Sequence, residues 1–326
     1  MREPDPSRFR SITVIGAGAI GGWIAARLAL AGNAMSLLAR GATFEALRSG
    51  GLHLSEGQSR AVAPVAAIEN AEGLGPQDLV IIAVKAPALA EAADMARPLI
   101  GPDTIILPML NGVPWWFMTE PLRSVDPGGR IAAALPPDRV IGCVVHASAF
   151  RSAPNAVTVK HADKLILGEP WGASSERVSS LCALFEASGI RTEQSDTIRR
   201  AIWYKLWGNA TVNPLSALTR ATADKLLSDS AIRGFMAQAM DELAAVGAAI
   251  GCPISETAQD RMAVTARLGA FKSSMLQDVE AGRAIELEEL LGAPLEIAAR
   301  AAISTPQLQK IYAMTRLLSD SLNLGR

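Results

Sequence analysis

Cysteine is scarce in this 326-residue chain. Only Cys143, Cys182 and Cys252 occur, far apart and with no C-x-x-C spacing. An odd, scattered set excludes a disulfide framework, speaks against a metal site, and reads as reduced core thiols in an intracellular protein. Charge of either sign is also not in excess: 31 basic and 32 acidic residues give a formal charge of -1. Nucleic acid and anionic membranes are therefore not the expected main partners, because neither finds a basic footprint to grip. Long apolar runs are missing too. The N-terminal "MREPDPSRFRS" is polar and contains proline, unlike a leader, and the apolar stretch behind it is broken by five glycines between Gly16 and Gly32. It is too short and too patterned to span a bilayer, so the expected location is the cytoplasm. No repeat of fixed period and no low-complexity tract is present.

What the chain does have is apolar material, 49% of its residues, and a length that suits two domains better than one core. The first half alternates strand-like and helix-like pieces: "SITVIG", "AIGGWIAARLALAG", "AMSLLAR", then "DLVIIAV", "ALAEAADMARPLI" and "TIILPML". Strands apolar throughout and separated by helices predict a parallel sheet covered on both faces. Between them "GGLHL" and "RAVAPVAAI" suit a small hairpin-like insertion. From Pro136 to about Ser195 the short runs "VIGCVVHASAF", "NAVTVKH" and "KLILGEP" look antiparallel, followed by a helix and the strand-like "IRTEQS". After Asp196 only helical periodicity remains. The fold class expected is α/β, an N-terminal doubly wound Rossmann-type sheet (residues 1–195, with a short antiparallel extension) followed by an all-α domain (196–326).

"ITVIGAGAIGG" holds Gly16, Gly18 and Gly21 in G-x-G-x-x-G spacing. The motif is weak alone, but here it follows a strand and opens a helix in a βαβ pattern, the setting in which it binds dinucleotides. Gly16 serves the tight turn, Gly18 the close approach of a pyrophosphate, and Gly21 the packing of helix on strand. Ala19 and Ile20, at the helix start, offer free N–H groups to the phosphates. Some 20 residues on, where an NAD site carries an acid, the chain reads "SLLARG". Arg40 there matches the 2′-phosphate of NADP(H), which a carboxylate would repel. Lys85 and Asn111 stand at the ends of two further strands, beside the ligand crevice of an open α/β sheet.

The helical half contains "KLWGNATVNP", in which Lys205, Asn209 and Asn213 are spaced by four and share one helix face. A lone Lys-x3-Asn is more often a surface stripe. A second polar cluster, Ser273, Ser274, Gln277, Asp278 and then Glu286, lies in "AFKSSMLQDVEAGRAIELEEL" with a break expected at Gly282. By itself that cluster is equally an ordinary helix cap and a surface acid.

With these motifs the chain resembles the ketopantoate reductases (2-dehydropantoate 2-reductases). The resemblance runs nearly end to end, through "VIGAGAIGG", "LLARG", "AVKA", "LNGV", "VVHAS", "KLWGNATVNPLSALT", "SSMLQDVEAGR", the acid of "IELEE" and "TPQLQKIY". It implies an active site in a cleft between two domains, Lys205 as general acid, and Glu286 completing the catalytic set. It further implies Asn209, Asn213, Ser274 and Asn111 on the substrate, and Arg40, Lys85 and Asn111 on NADP(H). The chain departs from the pattern at Ala88, where many relatives have glutamine, at Ala223, where an amide helps hold substrate, at Phe271, and at Leu291, which replaces the asparagine of "NG".

The reaction implied is hydride transfer from NADPH to the carbonyl carbon of a 2-oxo acid, with Lys205 giving the proton to the alkoxide oxygen. Pro214 after Asn213 disfavours a helical conformation there and predicts a kink. Two other readings stay open. One is a dehydrogenase of the same family acting on a different 2-oxo or 2-hydroxy acid, to which the apolar replacements point. The other is a non-catalytic NADPH-sensing protein. A homodimer is the expected assembly, and the substrate a small molecule.

Overall fold

A computed structural model describes residues 8–324; the residues 1–7 of the polar N-terminus read above lie outside the described residues. By its internal contacts the chain divides into two units. The first comprises 1–110 and 129–198, the second 111–128 and 199–326. The segment 111–128, read from sequence with the N-terminal domain, thus groups with the helices.

In the first unit, β1 (Ile12–Ile15), α1 (Ala19–Leu30), β2 (Met35–Leu38) and α2 (Gly41–Gly50) open the alternation. A hairpin follows, β3 (Leu52–Glu56) and β4 (Ser59–Ala63), then β5 (Ala66–Ile68), β6 (Leu79–Ile82), α3 (Leu89–Ala96) and β7 (Ile105–Pro108). The order β5-β2-β1-β6-β7 is parallel throughout, the doubly wound arrangement expected. β1, β6 and β7 are buried at every position, which is why they read as unbroken apolar runs. "RAVAPVAAI" does not stay in one insertion: its first part forms β4, its second part the edge strand β5.

After α4 (Arg130–Ala134), the region expected as several short strands consists of two long ones, β8 (Gly142–Ala153) and β9 (Ala156–Gly168). They pair antiparallel through three register shifts. The turn-like residues between "NAVTVKH" and "KLILG" do not interrupt β9, because β8 pairs with it through Lys164 and Ala162. β3 and β10 (Thr192–Gln194), the latter preceded by α5 (Glu176–Ala187), both add to β9 in parallel.

Helix α1 packs on strands of both sheets, and eight of its twelve residues are buried. This explains its weak amphipathic pattern: it has almost no outer face. Its two adjacent glycines serve the two sides. A Cβ on Gly21 would fall inside contact distance of the Gly16 carbonyl oxygen, whereas one on Gly22 would meet Val157 of β9 at 2.7 Å.

The second unit contains α6 (Ile198–Thr219, its first residue in the first unit), α7 (Ala223–Ser228), α8 (Ser230–Ala249) and α9 (Ala258–Ala266), then α10 (Ser274–Glu280), α11 (Ala293–Arg300) and α12 (Pro306–Ser321). Asp229, Thr257 and Ser273 cap α8, α9 and α10 with their side chains, and Thr257 and Asp260 form a reciprocal capping box. Contrary to the expected loss of helical conformation before Pro214, α6 stays helical through it to Thr219. The local cost is the one bond the proline nitrogen cannot give to the Ala210 carbonyl. Tight fixing elsewhere offsets it: the indole Nε1 groups of Trp203 and Trp207 donate to the Leu243 and Met240 carbonyl oxygens of α8, at 3.0 and 2.7 Å. Gly247 makes room for the Trp203 ring, and Phe117 stacks on it from the 111–128 segment at 5.9 Å. No helix among the described residues is long and apolar enough to cross a membrane.

Candidate active site

Two sites carry the residues singled out from sequence, one in each unit. In the first unit a cavity of about 200 Å³ opens at the end of β1, lined by Gly16, Gly18, Arg40, Thr43, Ala88 and Arg151 with apolar neighbours. Gly16 has φ of +106°, and a Cβ there would press on the Ala83 carbonyl oxygen at 2.8 Å. Gly18, the residue before α1, is different: a Cβ would find only the Ala83 oxygen, at 3.8 Å. The space over Gly18 is thus open, and the first turn of α1 faces it with backbone N–H groups that have no helical partner. These features fit a diphosphate.

Arg40 sits at the mouth, exposed, where its Nη1 donates to Glu91 Oε1 at 2.6 Å. That hydrogen bond and the charge of the partner raise the Arg40 pKa and lower that of Glu91. An exposed pair of this kind is weak. Arg151 of β8 is the second guanidinium of the cavity, with Nη2 donating to Thr43 Oγ1 at 3.3 Å. Sequence reasoning missed Arg151, Thr43 and Glu91. Thr43 lies three residues past Arg40 and was within reach of a local search. Arg151 arrives from a strand more than a hundred residues away, with no local signal. Lys85 lies beyond the end of β6, at the start of a short 3₁₀ turn, and does not line the cavity.

The second site is built on α6. Its core-facing residues, Ile202, Trp203, Leu206, Trp207 and Ala210, are buried. Lys205, Asn209 and Asn213 follow on another face, the first two half-buried and Asn213 7% exposed. Lys205 Nζ donates to Asn111 Oδ1 at 3.0 Å, and Asn111 Nδ2 donates to Glu286 Oε2 at 3.3 Å. One carboxamide therefore joins an ammonium to a buried carboxylate, its oxygen toward the cation and its nitrogen toward the anion. Sequence reasoning gave Asn111 to ligands; the bridging role was not legible, because the contacts span 94 and 175 residues. The carboxamides of Asn209 and Asn213 make no side-chain hydrogen bond among the described residues. Ser273 caps α10 and its Oγ donates to the Asn213 carbonyl at 3.5 Å, while Ser274 is exposed at the first turn.

The loop holding Asn111 is fixed at a second point. Glu288–Gly292 forms a π-type turn, and the Glu289 carbonyl accepts from Val113 N–H at 2.8 Å. Between these contacts lies Gly112, φ +78°, where a Cβ would stand 2.5 Å from that same oxygen. Gly292 leaves space for the Glu288 carboxylate, which accepts from the Tyr312 hydroxyl at 2.9 Å. The departures Ala223 and Leu291 are 1% and 0% exposed, enclosed by protein.

Removal from water pushes the half-buried Glu289 carboxyl up to about 7, and the charges of Glu286 and Glu288 act in the same direction. Between its ordinary 4.5 and about 7 the native state holds a proton that the unfolded chain has released. Stability therefore falls as pH climbs through that window, by up to about 3 kcal/mol for a shift of this size. Glu289→Gln removes the dependence. Urea unfolding should show the variant gaining more over the native protein at pH 8 than at pH 5; equal gains at the two values refute the assignment.

Against known proteins, the family profile described as ketopantoate reductase PanE/ApbA matches residues 12–171, and its C-terminal counterpart matches 197–319. A 2-dehydropantoate 2-reductase of Mesorhizobium japonicum is 39% identical over 317 residues, covering 94% of this chain and 97% of its own. A crystal structure of a candidate ketopantoate reductase from Ralstonia solanacearum MolK2 superposes with a TM-score of 0.94, at 45% identity over 97% of this chain and 99% of that one. The 2-dehydropantoate 2-reductase of Methylococcus capsulatus gives a TM-score of 0.83, at 31% identity over 96% and 97%.

Proposed function

The chain belongs to the ketopantoate reductase family of oxidoreductases, and from that premise we propose that it reduces 2-dehydropantoate to pantoate with NADPH, Lys205 acting as the general acid. The observation that carries this reading is the Lys205–Asn111–Glu286 chain of hydrogen bonds beside two unengaged carboxamides.

Bound NADPH supplies the hydride; Gly16, Gly18 and the first turn of α1 would hold its diphosphate, and Arg40 with Arg151 its 2′-phosphate. As the substrate carbonyl becomes an alkoxide, Lys205 stabilises the growing charge and delivers a proton to that oxygen. Asn111 keeps the ammonium aimed, and Glu286 keeps Asn111 from rotating. Asn209 and Asn213 donate to substrate oxygens without adding charge, and Ser274 supplies a hydroxyl. The full burial of Ala223 and Leu291 supports 2-dehydropantoate over a substrate chosen for apolar contacts with them.

Following NADPH absorbance with 2-dehydropantoate and a panel of 2-oxo acids tests the reading. Turnover confined to another acid would move the substrate, and none with any acid would remove the activity. Arg40→Ala should weaken NADPH roughly 10- to 100-fold, the range of a charge-assisted bond to phosphate, and NADH little. Titration with both cofactors decides it, an equal loss counting against the 2′-phosphate role.

A further inference from the structure

The charged side chains that line the cavity of the first unit are the guanidinium groups of Arg40 and Arg151. A charge of the opposite sign stands at its rim. Glu91, in the first turn of α3, accepts from Arg40 Nη1 at 2.6 Å across 51 residues of sequence. Its place on the helix explains the reach. Ala88, Ala92 and Met95 present α3 to the cavity, and Glu91, three residues after Ala88 and four before Met95, borders that same face. Arg151, by contrast, donates to the neutral Thr43 hydroxyl.

The Arg40–Glu91 pair has opposite consequences for the two nicotinamide dinucleotides. A phosphate monoester carries about −1.5 to −2 charges at pH 7. To take Arg40, the 2′-phosphate must strip the carboxylate from the guanidinium and then sit beside that carboxylate, like charge near like. The rim thus offers it two cations and an anion rather than two cations alone. A ribose 2′-hydroxyl is neutral, and for NADH the pair need not open. We propose that Glu91 is a selectivity residue, a placeholder for the 2′-phosphate that occupies Arg40 in the free protein and narrows the preference for NADPH over NADH. The inference rests on the dinucleotide reading above, with Arg40 facing the 2′-phosphate, and adds the residue that opposes it. Once displaced, the carboxylate remains in the first turn of α3, where the helix dipole favours an anion, so NADPH is hindered and not shut out.

Glu91→Gln keeps the shape and removes the charge, and at this exposed position it leaves the fold intact. Fluorescence titration of native protein and variant with NADPH and with NADH reads the effect without turnover. Kd for NADPH should fall about 3- to 10-fold, the scale of one exposed pair lost together with one repulsion, and Kd for NADH should change by less than about twofold. The ratio of the NADH to the NADPH constant therefore rises. Glu45→Gln is the control: Glu45 pairs with Arg48 at 2.7 Å on α2 and does not line the cavity, so its ratio should stay native. An unchanged or lowered ratio in Glu91→Gln overturns the proposal and leaves the dinucleotide reading standing. An equal rise in Glu45→Gln overturns it too, since the effect would then be that of removing any nearby acid. A native protein that binds neither dinucleotide removes the reading itself, and the proposal falls with it.

Discussion

Lys205→Ala will lower kcat by about three orders of magnitude if, as proposed, Lys205 is both the general acid and a charge that stabilises the alkoxide. Its affinity for NADPH will stay near the native value, because the proposed diphosphate cradle belongs to the other unit. Stability will hold as well: Lys205 is half-buried, and the groups that fix α6 are the tryptophans bonded to α8. Single-turnover kinetics with saturating NADPH measures the effect on chemistry directly. Turnover above one tenth of native would remove Lys205 from the role of acid and leave the ammonium as a binding group.

Gly21→Ala will abolish dinucleotide binding and destabilise the first unit. The added methyl would overlap the Gly16 carbonyl oxygen and stand 2.9 Å from the Ala83 side chain, and backbone and a β-carbon have no rotamer by which to retreat. Overpacking of this kind costs about 1–3 kcal/mol, and a melting point about 2–12 °C lower follows for a unit of this size. Gly18→Ala is the informative partner. Its φ of −75° suits any residue and its nearest new neighbour is at 3.8 Å, so the melting temperature should not change while NADPH affinity drops through lost approach of the phosphates. Thermal melts and NADPH titration of the pair separate packing from binding. If Gly18→Ala bound as well as native, the space over that residue would not be the phosphate cradle.

What was legible in the sequence was local. The glycine spacing after an apolar strand, the unbroken burial of β1, β6 and β7, and the i, i+4 run from Lys205 to Asn213 are all set by residues within one turn or one strand of each other. The length of β9 was not legible, because its polar middle is held in strand form by pairing with β8. Nor was the continuity of α6 past Pro214, where two indoles bonded to α8 outweigh the local preference of one residue. In the site, Asn111 was found from its place after a strand, but its work between Lys205 and Glu286 needed the fold. Leu291 and Ala223, which as letters alter a substrate shell, are buried in the structure, a fact the letters do not carry.

Because residues 111–128 group with the helices while both flanks belong to the sheet unit, the polypeptide passes between its two units three times, at 110/111, 128/129 and 198/199. Neither unit corresponds to one uninterrupted stretch of gene. A crossover between homologous genes near codon 196 would exchange Lys205 and Glu286 as a set but leave behind Asn111, which joins them, and Phe117, which stacks on Trp203. Descent by swapping whole halves is therefore penalised in this architecture, and the hydrogen-bonded set of Lys205, Asn111 and Glu286 is inherited most safely with the entire chain.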